Sequence, residues 1–101
     1  MYMKAYEGRR TIDGLTVTVN GEDLNDRQEV KPFSVAGIEW GYVGDAPKQL
    51  ALALLCDHLG DNQAAIEKSE TFMRDVVAVL DNDWTLSSDD IQAALDKQQT
   101  G

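Results

Sequence analysis

Cysteine and histidine are nearly missing from this chain of 101 residues, which holds one of each. A lone Cys56 excludes an intramolecular disulfide, and one Cys with one His cannot make up the usual ligand sets of a zinc site. The two lie two positions apart in a stretch expected to be helical. They therefore stand on nearly opposite faces, which excludes a nucleophile and base pair. Basic residues are scarce too, nine Lys and Arg against eighteen Asp and Glu, and Arg9-Arg10 is the only adjacent basic pair. Without a clustered basic surface, direct binding to a phosphate backbone is disfavoured. The longest apolar run, Leu50 to Cys56, is far shorter than the roughly 20 residues that cross a bilayer. Met1 to Glu7 contains no apolar signal core. There is no repeat, low-complexity tract or linker. A single α+β domain over residues 1–101 is expected, folding without metal or cofactor, cytoplasmic and in a reducing compartment.

What is abundant is acid. The net charge is −9, and twelve of the eighteen acids are Asp. Such a surface suits a protein partner with a basic face; solubility alone, or a high-salt source, would produce the same composition.

The chain is organised around Pro47 to Gly60. Leu50 to Cys56 lacks the polar positions of a surface helix and is read as a buried central helix, with Cys56 as a small core residue. Asp45 is expected as its N-cap, Pro47 in its first turn, and Gly60 at its end beside a capping His58. Before it, Tyr2 to Tyr6 reads as a strand ended by Gly8. Asp13-Gly14 reads as a type I′ turn, and Leu15, Val17 and Val19 alternate with Thr as a second strand. Asn20-Gly21 gives another turn, Glu22 to Asp26 a surface loop, and Gln28 to Lys31 a short strand. Ile38, Trp40 and Tyr42 share one face of a further strand, which makes Trp40 a core residue. After it, Asp61 or Asn62 opens a helix with Ile66, Phe72, Met73, Val76, Val77 and Leu80 on one stripe. Ser87 caps a third helix, flanked by the staple pair Leu86 and Ile91. The expected architecture is a small, mostly antiparallel sheet of three to four strands followed by three helices, the first of them buried.

The run Ile38-Glu39-Trp40-Gly41-Tyr42-Val43-Gly44-Asp45-Ala46-Pro47-Lys48-Gln49-Leu50-Ala51-Leu52-Ala53, continued through Asp57-His58-Leu59-Gly60-Asp61, resembles an uncharacterised family of small phage, prophage and plasmid proteins. The resemblance extends more weakly to Tyr6-Glu7-Gly8, to Phe72 to Val77 and to Trp84 to Ile91. Ile38 stands where that family usually has Phe, and Asp45 where a small residue is common. The family has no assigned activity. The resemblance implies a mobile-element setting, in which small acidic proteins without cofactors bind and block host machinery, as anti-CRISPR inhibitors do.

No chemistry emerges from the remaining motifs. Asp81-x-Asp83 is not a calcium loop, since Leu86 and Gln92 stand where Gly and Glu are required. Gly41-x-x-Gly44 lacks the lysine of a phosphate loop. Asp57 and Asp61, one turn apart, are a carboxylate pair of the kind that arises by chance in so acidic a chain. The expected function is a non-enzymatic protein-binding module, an inhibitor of a host defence complex acting through its acidic surface. A structural or homo-oligomeric accessory role, and a small-ligand binder or enzyme at the Trp40 to Asp45 turn, are the alternatives. The partner-binding candidates form two groups. Glu22, Asp23 and Asp26 sit on the loop, whereas Asp81, Asp83, Asp89 and Asp90 lie between two helix boundaries and are favoured as the more rigid set.

Overall fold

A helix with no polar stripe has to be enclosed, because each apolar side chain left in water forfeits about 1.5–3 kcal/mol. In the computed structural model, which describes residues 4–100 with side chains through Gln98, helix α1 (Asp45–Leu59) meets that demand. Every residue from Gln49 to Cys56 is buried. Helix α2 (Asn62–Asp75) packs along α1, and a 3-10 turn (Val77–Val79) continues from it. Strand β1 (Ala5–Thr11) pairs antiparallel with β2 (Gly14–Val19) and with β4 (Trp84–Ser87), and β2 pairs with the short β3 (Glu22–Asp23). The order is β3-β2-β1-β4, and helix α3 (Ser88–Thr100) follows β4 directly. The α+β architecture with a four-stranded antiparallel sheet and three helices is as expected. Its core gathers Tyr6, Val17, Trp40, Leu50 to Leu55, Phe72, Met73, Trp84, Ile91 and Leu95.

The strands themselves differ from the expected set. Tyr2 and Met3 lie outside the described residues. Gly8 does not end β1 but sits in the middle of it, opposite Trp84, and a Cβ there would collide with the indole. The missing side chain is what lets the strand and the Trp84 ring lie together. The fourth strand is Trp84–Ser87, not Ile38 to Tyr42. In the latter, backbone bonds go sideways instead, from Glu39 N–H to the Ala46 carbonyl at 3.2 Å and from Gly41 N–H to the Val77 carbonyl at 3.0 Å. Gly41 at φ +90° breaks the alternation, so Trp40 is buried while Tyr42 is half exposed.

Residues 28–31 form no strand either. Arg27 takes a left-handed conformation and its carbonyl receives both the Val30 and Lys31 N–H groups, which curls the chain into a turn. Glu22 and Asp23 pair with Val19 and Thr18 as β3 rather than lying in a loop. The type I′ turn is at Asn20-Gly21, where both φ angles are positive. At the first hairpin the turn falls on Ile12-Asp13, neither of which has positive φ, with Gly14 already paired to Thr11.

Helix ends follow the expected chemistry with two shifts. Gly44, not Asp45, is the N-cap of α1; Asp45 stands inside the first turn, where a negative charge favours the helix dipole. His58 does not cap that helix: its Nε2 meets Gln92 Oε1 on α3 at 2.8 Å, and the left-handed Gly60 donates to the Cys56 carbonyl. Asp61 caps α2 through Ala64 N–H. Ser87 and Asp90 form a reciprocal capping box at α3, with bonds of 3.1 and 2.9 Å.

Candidate functional site

Two polar assemblies hold the irregular parts of the chain, and both begin from residues that an apolar pattern ignores. Arg10 lies on the same face of β1 as Tyr6 and Gly8, at the exposed end of the strand. Its guanidinium lies 5.0 Å from the centre of the Trp40 ring, donates to Glu39 Oε1 and the Trp40 carbonyl, and reaches Asn82 Oδ1 at 3.3 Å. Trp40 meets Trp84 edge to face at 5.7 Å. Arg10, Trp40, Trp84 and Gly8 thus form one stack, which fixes the Trp40 to Asp45 turn beside the segment leading into β4. The second assembly is Gln49, fully buried on α1. Its amide donates to the Asp26 and Lys31 carbonyls at 2.7 and 3.1 Å and accepts from Ser34 N–H at 3.0 Å. One side chain thereby seats the loop between β3 and α1.

Asp57 on α1 is the most heavily engaged carboxylate. It accepts from Tyr6 Oη at 2.6 Å and Lys4 Nζ at 3.0 Å, with Arg27 at 3.9 Å. Burial pushes its carboxyl up, but the hydrogen bonds from Tyr6 and Lys4 and the two nearby cations outweigh that and hold it below the usual value. Asp57 and Asp61 are therefore explained separately, one as a tie between α1 and β1 and the other as a cap. Burial pushes the Cys56 thiol up, consistent with a core residue. Among the described residues no group of three or more His, Cys, Asp or Glu side chains could hold a metal ion, and no helix is long and apolar enough to cross a membrane.

A model of DUF6166, a family of unknown function, matches residues 6–97. The chain belongs to this family. No curated protein and no solved structure matches it. The match takes in the Arg10–Trp40 stack, Gln49 and Asp57 of this DUF6166 chain together.

The structure does not bring the favoured acids together. Asp81 and Asp83 precede β4 and Asp89 and Asp90 follow it, so the strand separates the pairs by about 13 Å at roughly 3.3 Å per residue. Asp90 is occupied by the α3 capping box, and Asp83 accepts weakly from Arg10 N–H at 3.4 Å. Asp81 and Asp89 are exposed. In the other group, Asp23 and Asp26 line a shallow groove of about 390 Å³ over Leu15, Leu24 and Ile38, while Glu22 is exposed on β3. What the residue pattern missed is Arg10, Gln49 and Asp57. The signal for Gln49 was present as the one uncharged polar residue at the head of an otherwise apolar helical run.

Proposed function

We propose that this DUF6166 chain is a non-enzymatic protein-binding module whose partner presents a basic surface. The observation that supports it is the distribution of charge. Among the described residues, ion pairs hold Lys4, Arg10, Arg27, Lys48 and Arg74, yet they use only Asp57, Glu39 and Glu70. Five of the nine basic residues are thus drawn onto three of the eighteen acids. The other fifteen acids outnumber the other four basic residues, a net negative balance that attracts a basic protein and repels nucleic acid and anionic lipid. The reading asks for no catalytic step and no cofactor. In a phage or plasmid setting, as the resemblance of the Glu39 to Ala53 motif implies, the partner would be a nucleic-acid-binding host defence complex and binding would inhibit it. The test is capture of a partner from host lysate followed by binding at rising salt. The proposal expects affinity to fall steeply with salt and to weaken in Asp81→Asn/Asp83→Asn or in Asp23→Asn/Asp26→Asn. Affinity indifferent to salt and to both pairs would overturn it.

A further inference from the structure

Among the described residues five large apolar side chains are exposed, and three of them lie on neighbouring segments. Ile12 and Val35 stand alone at a hairpin tip and in a loop, whereas Tyr42, Val43 and Val79 are 50, 51 and 72% exposed on two segments that touch. The contact is the bond from Gly41 N–H to the Val77 carbonyl, and the Leu80 carbonyl lies within 3.4 Å of where a Gly41 Cβ would stand. The Tyr42 ring lies close to Gly44, 2.9 Å from where a Cβ would stand there. Exposed Asp45 and Asp81 sit two residues along the chain from Val43 and Val79. Arg10, which donates to the Trp40 carbonyl, and Lys48, near the start of α1, are already committed to Glu39 and Glu70.

We propose that Tyr42, Val43 and Val79, rimmed by Asp45 and Asp81, form the contact surface for a basic amphipathic segment of a protein partner. Apolar side chains of that segment cover the three residues while its Lys or Arg side chains reach the two carboxylates. The inference rests on the protein-binding reading above and adds where and how the partner is held. Charge decides the occupant. A second copy of this chain, at net charge −9, would bring like charge onto the rim, and a nucleic acid or an anionic membrane would be repelled in the same way. An aromatic ring inside a polar rim is also the arrangement of an interface, whose centre is enriched in Tyr.

The test uses two synthetic probes, an amphipathic Leu/Lys helical peptide and a Ser/Lys peptide of equal charge, titrated at low salt into the isotope-labelled protein and followed by amide chemical shifts. The Leu/Lys peptide should shift Tyr42, Val43, Asp45, Val79 and Asp81. Tyr42→Ser/Val79→Ser, which alters exposed positions only and should keep the wild-type Tm, should bind it at least about tenfold more weakly. The Ser/Lys peptide should bind more weakly than the Leu/Lys peptide and be indifferent to the double substitution. Leu/Lys binding that maps elsewhere, or that the double substitution leaves unchanged, overturns this surface while the basic-partner reading stands. Failure of both peptides to bind overturns the two together.

Discussion

Helix α1 and the segment between β3 and that helix are both held against the same core, by opposite means. From Leu50 to Cys56 every side chain is apolar and buried, and the backbone bonds are those of the helix itself. From Asn25 to Gly44 there is no regular ladder, and order comes from a few polar groups: Gln49 beneath Asp26, Lys31 and Ser34, Gln28 on the Ser34 carbonyl, and Arg10 over Trp40. Leu24, Val30, Phe33 and Ile38 add partly buried apolar contact. The first kind of order is distributed and tolerant of small changes. The second is concentrated, so one substitution can release a whole segment.

The largest effect should come from the distributed side. Leu54→Asp places an unpaired charge in the core, at a cost exceeding the ~5–15 kcal/mol that holds such a domain together. Circular dichroism should show no cooperative thermal transition; a wild-type Tm would mean that α1 is not central.

Next is Gln49→Leu, which keeps approximate volume but strands the Ser34 N–H and the Asp26 carbonyl, while the Lys31 carbonyl still accepts from Phe33 N–H. Both groups are only partly buried, and a buried group left unpaired costs roughly 1–3 kcal/mol, so chemical denaturation should show a loss of about 1–3 kcal/mol in all. A neutral result would place the order of the loop in its apolar contacts instead.

That contrast also explains what the sequence could reveal. Continuous apolarity found α1, and periodicity found α2, α3 and β2, because a buried face repeats; alternation also placed Trp40 in the core, where it is buried. Periodicity failed at Ile38 to Tyr42, where alternation is present but Gly41 turns the chain and Val77 takes its N–H. It failed again at Gly8, whose meaning depends on Trp84 far away in sequence. Cap motifs were legible at Asp61 and Ser87, since their partners lie within four residues. The partners of Arg10, Gln49 and Asp57 were not, because each acts on segments distant in the chain, even where, as at Gln49, the residue itself stood out.

Gly8→Ala sharpens this last point. In most strands the change would be harmless or helpful, since glycine weakens a strand interior. Here the added methyl meets the Trp84 ring, and a loss of about 1–3 kcal/mol is expected from denaturant titration. A stability gain would show that the ring moves freely.

The smallest effect concerns acid. Asp57 has a folded-state pKa below the ordinary 3.8, so the unfolded chain binds the proton more readily. Its contribution is fully present above that value and is lost as the pH falls through the lowered folded pKa. Asp57→Asn should flatten the fall in stability below about pH 4 relative to wild type, while lowering stability at neutral pH. Parallel curves for the two proteins would remove Asp57 from the acid response.

A few polar side chains should hold the irregular segment, and with it the Tyr42 surface, as firmly as apolar burial holds α1. Native-state hydrogen exchange measures this residue by residue. The amides of Ser34 and Gly41, bonded to Gln49 Oε1 and to the Val77 carbonyl, should open with free energies within about 1–2 kcal/mol of those of Leu54 and Leu55, and Ser34 should lose that protection in Gln49→Leu. Exchange of Ser34 and Gly41 at nearly unprotected rates, while α1 stays protected, would contradict the account.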